Sequence, residues 1–262
     1  DIENYNDANF LQISHPLKGL QRLAKDYRSR FDVPVIGITG SNGKTVVKEW
    51  IYQLLSPERI ITRSPRSYNS QIGVPLSVWL MNERTEIGIF EAGISEMGEM
   101  EALQSIIRPT IGILTNIGGA HQENFYSTSD KCMEKLTLFK DCDVVIYDAD
   151  NELINNCVGK CLFGAREIAW SKKNPEQPLY IEGVKKGDTA TTIRYRYLGM
   201  PNEYTIPFID DASVENSIHT LAVALYMMLS PEKIAERMAH LEPIAMRLEV
   251  KEGKNGCILI ND

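Results

Sequence analysis

The chain has 262 residues, enough for one large domain or two small ones with a full hydrophobic core. Apolar residues make up 43% and charged residues 24%, the mix of a globular protein, which excludes long-range disorder and fibrous repeats. A net charge of −7 with no basic block excludes a non-specific nucleic-acid binder, although a local phosphate site needs only backbone N–H groups and one lysine.

Residues 1–32 mix polar residues with one amphipathic stretch, in which Leu17, Leu20, Leu23 and Ala24 recur at helical spacing. They read as a linker and a helix leading out of a truncated N-terminal region. From residue 33 a strand–loop–helix pattern repeats. Strands are expected at 33–39, 59–62, 86–90, 110–115 and 143–147, and helices at 44–55, 74–81, 98–107, 129–139 and 151–158. Apolar strands alternating with helices predict an α/β fold, a P-loop-type mostly parallel sheet flanked by helices. Residues 162–208 change character. Ile193, Tyr195 and Tyr197 alternate with Arg194 and Arg196, which predicts a small antiparallel β subdomain at about 162–208 with one wet face. Helical signal returns at 214–229. Ser230-Pro231 supplies an N-cap and first-turn proline for another helix, and residues 257–262 close as a strand. A chain stopping directly after a strand is expected to be a piece of a longer protein.

The longest apolar run, Leu221 to Leu229, is too short for a bilayer, which needs about 20 residues. The acidic first ten residues are no signal peptide. Five cysteines without repeated spacing argue for reduced thiols; Cys157 and Cys161 have the spacing of a metal-ligand pair but no second pair beside them. The expectation is a cytoplasmic protein with no membrane insertion.

The strongest motif is Thr39-Gly40-Ser41-Asn42-Gly43-Lys44-Thr45, between a predicted strand and a predicted helix. Glycines let several N–H groups face one anion, and the helix N-terminus adds positive potential. Lys44 can reach the β- and γ-phosphates of a nucleotide, and Thr45 can offer its hydroxyl to Mg²⁺. The general pattern G-x-x-x-x-G-K-[ST] would put its first glycine at position 38, which is Ile38; Gly37 and Gly40 flank it. Elsewhere, Glu91 ends an apolar strand run, placing a carboxylate at the carboxyl edge of a parallel sheet, where ligands bind. Asn216 and His219 are three residues apart, on one face of a helix. Composition and spacing do not select among Lys131, Lys135 and Lys140, which read as a solvated basic face.

The variant T-G-x-x-G-K-T resembles the phosphate loop of the Mur ligases and the related folylpolyglutamate synthetases. Three further stretches match the Mur ligases in order: Ser67 to Pro75, Ile89 to Met100 and Thr115 to Phe125. Two closing segments, Met246 to Glu249 and Ile260 to Asp262, match as well. The resemblance covers residues 33–262 and implies the family's central ATPase domain, with the N- and C-terminal ligase domains absent. The chain is most similar to the branch that adds D-alanyl-D-alanine to UDP-N-acetylmuramoyl tripeptide, including the form fused to an alanine racemase. That branch usually carries Asn where Ser95 stands.

The resemblance implies an ATP-dependent amide-forming ligase acting through an acyl phosphate. Its cofactors would be ATP and Mg²⁺ at two sites, with Mn²⁺ able to substitute. It implies Lys44, His121 and Lys135 as catalytic, with Lys135 carbamylated, and Thr45, Glu91, His121 and carbamylated Lys135 as metal ligands. An imidazole is an unusual Mg²⁺ ligand, since that ion prefers oxygen. ATP contacts would come from Gly40, Ser41, Asn42, Gly43, Lys44, Thr45, Asn116, Asn216, His219, Arg247 and Asp262, and substrate contacts from Asn69 and Ser95. Partners would be the UDP-N-acetylmuramoyl tripeptide, D-Ala-D-Ala and the missing domains. The alternatives are a folylpolyglutamate synthetase-like ligase and a nucleotide-binding module inactive in isolation.

Overall fold

The computed structural model describes residues 12–118, 124–161, 164–244, 249–252 and 257–261. Helix α1 (Pro16–Arg28) leads into a repeated strand–helix chain: β1 (Val35–Thr39), α2 (Lys44–Leu55), β2 (Ile61–Arg63), α3 (Gly73–Val78), β3 (Ile87–Glu91), α4 (Glu99–Ile107), β4 (Ile111–Leu114), α5 (Thr128–Leu136), β5 (Val144–Asp148), α6 (Glu152–Lys160) and β6 (Arg166–Ser171). Three longer strands follow, β7 (Leu179–Lys186), β8 (Thr191–Tyr197) and β9 (Met200–Ile206). Then come α7 (Asp211–Tyr226), α8 (Pro231–Met238), β10 (Glu249–Glu252) and β11 (Ile258–Asn261).

Nine strands form one sheet in the order β2-β3-β1-β4-β5-β6-β7-β8-β9. Every neighbouring pair from β2 to β7 is parallel, and β7–β8 and β8–β9 are antiparallel. The expected parallel sheet is therefore present, and the 162–208 segment is its continuation and antiparallel edge. Strand β6 runs parallel to β5, with Ile168 opposite Ile146, because α6 carries the chain back across the sheet. Strands β10 and β11 pair antiparallel as a separate hairpin.

Both faces of the sheet are covered, as near-continuous apolar strands require. Ile36, Ile38, Ile89, Ile113 and Ile146 pack with Val47, Trp50, Ile51 and Leu54 of α2 and with Ile218, Leu221 and Ala222 of α7. Val35, Phe90, Leu114 and Val145 pack on the other side with Ala24, Val74, Leu103, Ile106 and Leu136, from α1, α3, α4 and α5. Strands β1, β3 and β4 are buried along their whole length.

The caps follow the sequence. Ser127 accepts from the Asp130 N–H at 3.1 Å to start α5, and Ser230 accepts from the Lys233 N–H at 3.4 Å before Pro231 starts α8. The predicted helix 129–139 is an α-helix to Leu136 and then a tighter 3₁₀ turn over Thr137–Phe139. No described helix is long and apolar enough to cross a membrane.

Candidate nucleotide site

Strand β1 lies between β3 and β4, so the chain leaves it at the point where successive connections diverge across the sheet, the usual place for a ligand crevice in such folds. The turn after β1 runs from Gly40 to Gly43 and opens α2. Gly40 has φ 141°, and a Cβ there would stand 2.0 Å from Thr115 Oγ1. Gly43 has φ 80°, and its Cβ would stand 2.3 Å from Asn216 Oδ1. Both positions demand glycine twice over, by backbone sign and by space.

The turn is braced from β4. Thr115 donates its hydroxyl to the Asn42 carbonyl at 2.6 Å. Asn116 accepts the Asn42 N–H on its side-chain oxygen and the Ser41 N–H on its carbonyl, each at 2.9 Å. Ser41 Oγ accepts the Gly118 N–H at 2.8 Å. Lys44 Nζ donates to the Gly40 carbonyl at 2.9 Å and the Ser41 carbonyl at 3.2 Å. Asn116, expected as an ATP contact, holds the loop in shape.

Two cavities meet at this turn. The larger, about 450 Å³, is lined by Ser41 to Val46, Trp50, Asn69, Phe208, Asp210 and Asn216, among others. Trp50 and Phe208 stack with ring centroids 5.1 Å apart; Trp50 is buried, and the half-buried Phe208 offers the apolar wall suited to a flat base. The smaller, about 180 Å³, is lined by Gly40, Ser41, Lys44, Asn69, Ser70, Gly93, Ile94, Ser95, Lys131 and Lys135. Three lysines converge on it. Lys135 is buried, and its Nζ donates to the Gly40 carbonyl at 3.2 Å. Lys131 Nζ donates to the Gly118 carbonyl at 2.6 Å. Burial, reinforced by the charges of Lys44 and Lys131, lowers the Lys135 pKa to about 7. Lys44 and Lys131 keep the site cationic inside a chain of charge −7.

Beside the turn, Thr45 donates its hydroxyl to Glu91 Oε2 at 3.1 Å, with Ser67 Oγ 3.4 Å away on its other side. Asn69 Nδ2 also donates to Glu91 Oε2, at 3.4 Å. Glu91 is fully buried at the end of β3, and its Oε1 lies 2.9 Å from Lys48 Nζ, an ion pair without an aligned hydrogen bond. A hydroxyl and a carboxylate side by side make an all-oxygen donor set, which suits Mg²⁺ or Mn²⁺. Among the described residues no cluster of three or more His, Cys, Asp or Glu side chains could hold a metal alone, so the remaining ligands would be nucleotide oxygens and water. The residues present fit such an ion.

His121, Arg247 and Asp262 fall outside the described residues. Ser95 is exposed at the mouth of the smaller cavity, its N–H donating to Glu99 Oε2 at 2.6 Å. Asn216 faces the larger cavity, but His219, one turn on, is fully buried. Its Nε2 donates to the Thr115 carbonyl at 3.0 Å, and its Nδ1 accepts the Trp170 indole N–H at 3.3 Å. The structure brings His219 to the back of the loop brace, not to the cavity. Burial lowers its pKa to about 4, so the ring is neutral and both nitrogens keep their roles.

Residues 38–224 match the model of the Mur ligase middle domain. The chain belongs to the Mur ligase family. It is 31% identical over 253 residues to the UDP-N-acetylmuramoyl-tripeptide--D-alanyl-D-alanine ligase of Bacillus subtilis, a match covering 95% of this chain and 54% of the relative. The chain therefore spans about half the length of the curated relatives it matches. In fold it is similar to MurF from Acinetobacter baumannii, with TM-score 0.83, 20% identity, and 99% of this chain and 58% of that one covered. The MurF ligase from Thermotoga maritima in complex with ADP gives TM-score 0.83 and 21% identity over 98% of this Mur ligase chain and 59% of that one.

The sequence reading missed Lys48, Trp50, Phe208 and Asp210. Lys48 carried a usable signal: it lies three residues after Thr45 and shares its helix face.

Proposed function

We propose that this chain is the nucleotide-binding middle segment of an ATP-dependent ligase that adds D-alanyl-D-alanine to UDP-N-acetylmuramoyl tripeptide. The observation that carries the reading is the Gly40–Thr45 turn set between an apolar-walled cavity and a lysine-lined one, with Thr45 against Glu91. The larger cavity takes adenosine, with its base beside Trp50, Phe208 and Asn216. The turn and Lys44 grip the β- and γ-phosphates. The smaller cavity takes the γ-phosphoryl group and the tripeptide's terminal carboxylate.

The carboxylate attacks the γ-phosphorus and ADP departs, leaving an acyl phosphate. The amine of D-Ala-D-Ala then attacks the carbonyl carbon, and phosphate leaves through a tetrahedral intermediate. Phosphorylation is needed because an unmodified carboxylate would have to expel oxide. This chain's residues contribute position and charge: Lys44 and Lys131 balance the anionic oxygens that crowd together. When bound at Thr45 and Glu91, Mg²⁺ neutralises developing charge on the phosphate oxygens. Lys135, with a pKa of about 7, presents enough free amine at neutral pH to react with CO₂. The resulting carbamate would supply oxygen ligands to a second ion, together with His121. Asn69 and Ser95 stand where the incoming carboxylate enters.

The chain alone binds Mg–ATP and does not ligate, because the relatives' remaining length supplies the other substrate surfaces. Titration calorimetry tests the reading: Lys44→Ala weakens Mg–ATP binding by at least about tenfold, and unchanged affinity would overturn it. The 31% match to a D-Ala-D-Ala ligase favours that substrate pair over folate and glutamate. A panel of amine and acid substrates offered to the full-length protein, scored by ADP release, tests it.

A further inference from the structure

Lys48 stands apart from the lysines of the phosphate cavity. It is fully buried on α2 and lines neither cavity. Its Nζ donates to the Ser64 carbonyl at 2.8 Å and to the Arg66 carbonyl. Glu91 Oε1 lies 2.9 Å from it and Glu49 Oε1 3.2 Å. One ammonium thus ties three things together: α2 behind Thr45, the 64–69 loop that carries Ser67 and Asn69, and one oxygen of Glu91. Burying that charge is tolerable only because its partners surround it.

The arrangement divides the Glu91 carboxylate. Oε1 is turned inward to Lys48, and Oε2 is turned to Thr45 Oγ1 and Asn69 Nδ2. Small octahedral cations such as Mg²⁺ take a carboxylate through one oxygen and fill their shell with phosphate and water. Ca²⁺ takes more ligands and readily uses both oxygens of a carboxylate. We infer that Lys48 is a positioning residue that commits Glu91 Oε1 to the protein, leaves a single oxygen for the Thr45 side, and so sets the site's preference for a small six-coordinate cation over Ca²⁺. The inference rests on the proposed nucleotide–metal site.

The test uses the chain with the non-hydrolysable analogue AMP-PNP. Bound Mn²⁺ is followed by loss of its free electron-paramagnetic-resonance signal, and Ca²⁺ is added as competitor. Wild type holds Mn²⁺ against Ca²⁺. Lys48→Met frees Oε1 and raises Ca²⁺ affinity relative to Mn²⁺ by about tenfold. Lys48→Gln keeps a donor and falls between the two. A Mn²⁺-to-Ca²⁺ ratio unchanged in a folded Lys48→Met protein overturns the assignment, since a merely structural lysine would alter stability and not selectivity. If neither variant melts cooperatively, a wild-type crystal with Mn²⁺ and AMP-PNP decides. Lys48 still on Oε1, with only Oε2 turned to the metal, supports the inference; both oxygens on the metal overturns it. Should the wild-type chain and AMP-PNP bind no Mn²⁺, or bind it equally well with Glu91→Gln, the underlying metal site fails and the Lys48 role falls with it.

Discussion

His219 gives a prediction whose size can be worked out. Its neutral ring accepts the Trp170 N–H on Nδ1 and donates from Nε2 to the Thr115 carbonyl. Protonation would remove the acceptor and bury a charge. Its pKa is lowered from 6.5 to about 4 by burial, so the unfolded chain binds a proton more readily than the folded one between those values. Stability from this group is therefore fully present above the unfolded pKa and is lost as pH falls through the folded pKa. A tenfold difference in proton affinity corresponds to about 1.4 kcal/mol, so the whole effect is about 3 kcal/mol, of which about 2 kcal/mol is gone between about pH 7 and about pH 5. Urea unfolding of wild type and His219→Gln at those two pH values isolates the effect, because every other titrating group is common to both. Wild type should lose about 2 kcal/mol more than the variant on acidification. Equal losses would refute the reasoning, as would a His219 resonance titrating near the ordinary histidine value.

Three further outcomes follow from the site. Gly43→Ala forces a side chain into the left-handed region, at about 1–2 kcal/mol, and pushes Asn216 aside; calorimetry should show at least about tenfold weaker nucleotide binding. In buffer enriched with ¹³CO₂, wild type should give a carbamate carbon resonance that grows as pH rises through about 7 and is absent from Lys135→Ala. Nucleotide binding should change tryptophan fluorescence through Trp50, which is buried but stacked on Phe208 beside the larger cavity, and Trp50→Phe should abolish that response.

The phosphate loop was legible because everything that defines it is contiguous: strand, two glycines, lysine, threonine and helix. The parallel sheet was legible because doubly covered strands are apolar throughout. Strand direction at β6 was not, since an apolar Ile168–Trp170 run reads the same whichever way its neighbour runs. Asn216 and His219 show a finer limit. Three residues of helix rotate a side chain by about 300°, leaving the pair about 60° apart. That is near enough to share a face in sequence and far enough for one to meet the cavity and the other the sheet. Trp50 and Phe208 stack on each other from far apart in the chain, and no local pattern announces them.

The larger cavity has one wall from α2, beginning at residue 44, and another from α7, beginning at residue 211. Gly43 and Asn216 touch across some 170 positions of sequence. A ribosome-bound chain therefore cannot grasp nucleotide when its phosphate loop first emerges. The grip is completed only after all nine sheet strands have been made and α7 has closed against α2, so a bound nucleotide reports that the sheet and α7 have come together.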